Sequence, residues 1–155
     1  MVMKRTVVAL VLAMSAIAPV AAMAVAQTPS ATLAQQSRVT LPKQSTRVLK
    51  SGNFMALEHP TQGTARIVME GSQKILEFGN NFRSDSGPAL RVVLHRSARP
   101  GMQLTEGQYV VLSALQKTSG SQRYVIPNNL NLAQYQSVAI WCQQFNATFG
   151  AATLN

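Results

Sequence analysis

The sequence predicts a mostly β protein: a single antiparallel β-sandwich or small β-barrel. Three observations carry that expectation. Short β-prone runs recur at close spacing after residue 51, turn signals separate most of them, and no stretch has the apolar periodicity of a long amphipathic helix. Many short strands at such spacing are the mark of antiparallel sandwiches and barrels.

Taken in order, the expected strands cover 53–58, 64–70, 73–78, 89–95, 108–115, 122–126, 137–143 and 145–154. Turn residues stand between them: Pro60-Thr61-Gln62-Gly63, Gly71-Ser72, Gly79-Asn80-Asn81, Ser84-Asp85-Ser86-Gly87-Pro88, Pro100-Gly101, Ser119-Gly120 and Pro127-Asn128-Asn129. Within 64–70, Ala65, Ile67 and Met69 alternate with Thr64, Arg66, Val68 and Glu70, which gives one core face and one mostly polar face. Residues 131–136 are expected to make one short helical turn. The densest apolar run is 135–145, which holds the only tryptophan and the only cysteine, side by side. Val138, Ile140 and Cys142 share one parity there, and Ala139 and Trp141 share the other. Both faces of such a strand are apolar, so it belongs in the middle of a core.

The ends of the chain read differently. Lys4-Arg5, a nearly unbroken apolar run from Thr6 to Val20, and the small residues around Ala22, Ala24 and Ala26 have the order of a cleavable export signal, expected over 1–26. The apolar run is short for a permanent membrane anchor, and no stable insertion is expected after cleavage. Residues 27–50 read as a basic Pro/Ser/Gln-rich linker carrying Arg38, Lys43, Arg47 and Lys50 and no acid. One domain is left, 51–155. Removing Lys4 and Arg5 from the 14 basic residues leaves 12 against 5 acidic, a net of +7 with histidines neutral. For a periplasmic or extracellular chain, that balance suits an anionic envelope component or an acidic partner protein rather than nucleic acid.

One cysteine excludes an internal disulfide, a C-x-x-C redox pair, a c-type haem attachment and a multi-thiolate zinc or iron–sulfur site. No nucleophile elbow, phosphate loop or H-E-x-x-H is present. The acids Glu58, Glu70, Glu77, Asp85 and Glu106 are scattered, with no general acid and base pair among them. Cys142 has two readings: a small buried hydrophobe, or a reactive thiolate at the rim where the run turns polar at Gln143-Gln144. His59, His95, Met55, Met69 and Met102 complete the set that a copper or haem site would draw on. Nothing after Cys142 is His or Met, so no cofactor and no metal are expected. Asn146-Ala147-Thr148 matches the glycosylation sequon but falls inside an expected strand.

The order of several segments resembles a known family. These are Gly52-Asn53-Phe54, Phe82-Arg83, Gly87-Pro88-x-Leu90-x-Val92-x-Leu94, Gly120-Ser121-Gln122-x-Tyr124-x-Ile126-Pro127 and Tyr135-x-Ser137-Val138-x-Ile140-Trp141-Cys142-x-x-Phe145. Together they resemble the DM-thirteen, or electron-transfer DM, domain across about 51–154. The resemblance implies a small, mostly β extracytoplasmic domain with a redox role resting on a cysteine that matches Cys142. The family's loop reads Gly-Pro-Asp-Leu, whereas Ala89 stands where the acid is expected.

Two functions follow as expectations. In the first, Cys142 is the redox group, Trp141 and Phe145 pack around it, Tyr124 lies near, and a redox partner protein completes the reaction. In the second, the domain is a binding or adhesion module, Cys142 is core, and loops 80–88 and 98–107 make the contacts.

Overall fold

A computed structural model describes residues 45–155. The expected export signal, and the linker up to residue 44, lie outside the described residues. Ten strands form: β1 (Thr46–Ala56), β2 (Thr61–Gln62), β3 (Thr64–Glu70), β4 (Gln73–Phe78), β5 (Arg83–Ser84), β6 (Leu90–His95), β7 (Tyr109–Ala114), β8 (Gln122–Ile126), β9 (Ser137–Cys142) and β10 (Ala147–Thr153). One 3-10 turn, Leu132–Gln134, falls where the helical turn is expected, capped by Asn131, whose side chain accepts from Ala133 N–H.

Eight strands make one antiparallel sheet in the order β7-β6-β9-β10-β1-β3-β4-β8, while β2 and β5 pair separately. The sheet curls until its end strands face each other without strand pairing. Side chains bridge that seam. Tyr124 Oη accepts from Gln116 N–H at 3.0 Å and donates to Gln122 Oε1 at 2.6 Å. Gln122 Nε2 donates to Lys117 O at 2.8 Å, and its Oε1 accepts from Lys117 N–H at 3.0 Å. The result is a nearly closed, barrel-like sheet, which is the fold class the strand spacing predicts.

Two apolar clusters sit on opposite faces of this sheet. Inside lie Ile67, Leu76, Val92, Val138, Ile140 and the aromatic set Phe54, Phe78, Phe82 and Tyr124. The Phe78 ring lies 5.0 Å from Phe54, 4.7 Å from Phe82 and 5.4 Å from Tyr124, centroid to centroid. Offset and edge-on pairs at these distances add about 0.5–1.5 kcal/mol each beyond area burial. Outside, Val93, Leu104, Ala139, Trp141 and Ala151 form a smaller cluster. The β6–β7 connection, residues 96–108, lies across it and is tied down: Ser137 Oγ donates to Ser97 O, Thr153 Oγ1 to Ala98 O, and Thr148 N–H to Met102 O, all at 2.7 Å. That cover is why β9 is buried at every position, as its two-faced apolar pattern requires.

The linker expectation needs one correction. Residues 46–50 belong to β1 and pair with β3 from Thr46↔Glu70 through Lys50↔Ile67, with a register shift between Val48 and Lys50. Partner β10 meets only Phe54, Met55 and Ala56, so the first half of β1 is bonded on one side and largely solvated. That is why Thr46, Arg47 and Lys50 are accommodated there, while Val48 faces solvent and Leu49 packs against the inner cluster. With Arg47 and Lys50 included, the described chain carries ten basic residues against five acidic.

Candidate functional site

Cys142 is the last residue of β9, opposite Leu90 of β6 and Ala147 of β10. Its parity points inward, and it is fully buried in the inner cluster. The Sγ–H donates to the carbonyl of Pro88 at 2.9 Å, a bond that needs the proton on sulfur. Residues 87–89 therefore form a cover over the thiol. Gln143 N–H, just past β9, donates to Ala89 O at 3.2 Å and fastens the same cover.

The cover holds local strain. Ala89 sits at φ 55, a left-handed backbone that costs an L-residue other than Gly, Asn or Asp about 1–2 kcal/mol. Asp and Asn tolerate this region better than Ala, so the left-handed backbone supplies a reason for the acid that the family pattern has here. Gly87 is required by a close approach: a Cβ there would come within 2.8 Å of Phe149 Cζ. Phe149 in turn carries the His59 ring at 3.9 Å between centroids, and His59 Nδ1 lies 3.4 Å from Asp85 Oδ2. On the solvent side, Ser86, Gly87, Ala89, Leu90 and Lys117 help to line an open cleft of about 670 Å3. One loop thus forms part of that cleft's wall and covers the thiol.

The other expected site residues are spread apart. Trp141 is next to Cys142 in sequence but points to the opposite face, because successive strand residues alternate. Its indole packs in the outer cluster, 5.0 Å from the Tyr109 ring, and its Nε1–H donates to Asn146 Oδ1 at 2.9 Å. Phe145 does not pack around the thiol either. It sits in the turn between β9 and β10 and is 65% exposed. The last expected strand begins at Ala147 rather than 145, and this shift takes Phe145 out of the core. Tyr124 shares the inner cluster with Cys142, and burial raises its phenol above the ordinary value.

Sequence reasoning missed Asn146. At φ 48 it makes the left-handed turn into β10, and its amide joins three groups. Oδ1 accepts from Leu104 N–H and from the Trp141 indole, and Nδ2 donates to Leu104 O at 3.2 Å. The sequon drew notice to this asparagine for the wrong reason; its amide is bonded within the fold. The two histidines stand apart in different settings. His95 ends β6 in a buried position, where burial lowers its pKa from the ordinary value, and its Nδ1 accepts from Ser97 N–H at 3.0 Å. Among the described residues, no three His, Cys, Asp or Glu side chains stand together as a metal site.

The geometry defines a small antiparallel barrel-like domain with one thiol set in its inner core. The family model described as Electron transfer DM13 matches residues 53–154. The chain belongs to that family. No curated protein and no solved structure gives a match.

Proposed function

We propose that the chain is an exported electron-transfer domain whose reacting group is the Cys142 thiol, uncovered when residues 87–89 lift. One observation carries the reading: a strained three-residue segment, bonded once to sulfur and once to Gln143, lies against the thiol at the end of β9. The family description supports the reaction type. A single thiol reacts with a partner's disulfide. Freed of its proton to solvent, the Cys142 sulfur attacks one sulfur of R–S–S–R. The S–S bond breaks, a Cys142–S–S–R bond forms, and RS⁻ leaves to take up a proton. Cys142 is oxidised and the leaving sulfur is reduced; a second thiol reverses the step. The co-reactant is a redox partner protein or a small disulfide. The export signal expected over 1–26 supports a periplasmic or extracellular setting, where the basic balance suits an anionic envelope component.

A second reading is a binding module with Cys142 as core, and the complete burial of that residue favours it. Alkylation of Cys142 in folded protein, at urea concentrations well below unfolding, separates the two. Local opening predicts a rate nearly independent of urea, faster in Gly87→Ala and slower in Ala89→Asn, with a mixed disulfide captured on adding a small disulfide. A rate that follows global unfolding in urea, with no mixed disulfide, makes Cys142 core and leaves the binding module standing.

A further inference from the structure

On the outer face of the sheet, the connection 96–108 does not cover the whole of β10 and β1. Beside the Trp141 cluster a separate pocket of about 200 Å3 remains, between Ala98-Arg99-Pro100 on one side and Met55, Leu57 and Ala151 on the other. Alanines shape it. Ala98 and Ala151 stop short of filling the space, and a third alanine, Ala56, lies at its edge. The one hydroxyl in the lining, Thr153 Oγ1, is already bonded to Ala98 O at 2.7 Å.

Two features remain unexplained by folding. Met55 is 71% exposed, the most exposed large apolar side chain among the described residues, and it stands at this pocket. Arg99 is the single charged residue in the lining, and its guanidinium makes no hydrogen bond or ion pair among the described residues. No carboxylate lines the pocket with it. A small apolar cavity beside a free guanidinium selects for a ligand with an apolar body and one anionic head.

We infer that this pocket binds a small monocarboxylate with an apolar body of about six to eight carbon atoms. The size follows from the volume, since a cavity of about 150 Å3 lined by apolar side chains holds a benzene ring. In the bound state the apolar body lies against Ala151, Leu57 and Pro100, Met55 folds over it, and the carboxylate takes the paired N–H groups of Arg99. The site is on the opposite face of β9 and β10 from the Cys142 thiol and stands independently of the redox reading.

The test is a methyl-NMR titration of the purified chain with octanoate, and in parallel with neutral octanamide, following Met55, Ala56, Ala98 and Ala151. Saturable shifts confined to those methyls are expected with octanoate, with Kd at or below about 1 mM for a ligand of this size. Arg99→Gln, at an exposed position, is expected to weaken octanoate at least fivefold and leave octanamide unchanged. Ala98→Leu, which fills the pocket from a surface loop, is expected to abolish both. No saturable shift at 10 mM octanoate overturns the proposal, as do shifts spread over the surface. Equal loss of octanoate and octanamide in Arg99→Gln overturns it too, because the guanidinium would then not be reading the carboxylate.

Discussion

Asn146 joins the β9–β10 turn to the connection that covers Trp141, and replacing it with alanine tests how the outer cluster is held. The Ala variant loses three hydrogen bonds, at 2.9, 2.9 and 3.2 Å. At a net value of about 1 kcal/mol each they amount to about 3 kcal/mol. Alanine at φ 48 adds about 1 kcal/mol of left-handed strain that asparagine tolerates. The expected loss is therefore about 3–4 kcal/mol, a large part of the 5–15 kcal/mol typical of a domain. Asn146→Gly keeps the backbone but not the bonds, so it is expected to fall about 1 kcal/mol short of the Ala effect. Asn146→Asp keeps the acceptor and loses only the Nδ2 donor, for about 1–2 kcal/mol. Urea unfolding followed by tryptophan fluorescence reads all three directly, because Trp141 is the only tryptophan and bonds to the mutated residue. A loss below 1 kcal/mol in the Ala variant would refute the role assigned to this amide.

Three other outcomes are expected. Thr148 is fully buried and its hydroxyl has no partner, so Thr148→Val removes an orphaned polar group at nearly equal volume and should raise stability by about 1 kcal/mol in the same urea assay. Ala89→Asn keeps the left-handed turn with a residue suited to it and should stabilise by about 0.5–1 kcal/mol; a destabilised variant would mean that the Ala89 side chain is needed for packing. His95 is buried with its pKa lowered, so the unfolded chain takes up the proton first as pH falls. Its contribution is intact above the unfolded value near 6.5 and is lost progressively below it, so the urea midpoint should fall as pH drops below about 6.5 and this step should vanish in His95→Gln.

The fold was legible because its core is written in period two. All eight expected strands exist, and the two-faced pattern from Val138 to Cys142 correctly placed β9 in the interior of the sheet. Parity also assigned Cys142 and Trp141 to opposite faces, yet the functional expectation set them around one site. What stayed hidden depends on partners far away in sequence. The first half of β1 reads as linker because only β3 meets it, so most of its side chains face solvent and, of 46–50, only Leu49 packs against the inner cluster. Strands β2 and β5 are two residues long, below any pattern. Phe145 was misplaced because an apolar run does not announce that it turns back at Gln143. The cover over Cys142 was hidden for a different reason: φ at Ala89 and the bond from sulfur to Pro88 O are properties of three-dimensional closure.

That cover makes the choice between a redox thiol and a core thiol a matter of rates. Lifting residues 87–89 breaks two hydrogen bonds, to Pro88 O and to Ala89 O, and releases the strain at Ala89, which favours the open form. Two bonds at about 1 kcal/mol each, plus about 1–2 kcal/mol for exposing the buried thiol and its apolar neighbours, less about 1 kcal/mol of strain, put opening at about 2–3 kcal/mol. At about 3 kcal/mol the open form is roughly 1% populated, and alkylation runs about 100-fold below that of a free thiol. If the thiol reacts only from the unfolded chain, a stability of about 5 kcal/mol or more holds the reactive fraction near or below about 0.03%. The two routes therefore differ by roughly thirtyfold or more at neutral pH. Gly87→Ala raises both routes by the same factor, because its Cβ meets Phe149 only while the cover is closed and neither the open nor the unfolded form keeps that contact. Urea separates them, since local opening exposes little surface and global unfolding exposes much. A Cys142 rate that is raised in Gly87→Ala yet stays flat as urea increases below the unfolding transition would assign the reaction to the cover. A rate that climbs with urea in step with the fall in global stability would assign it to unfolding.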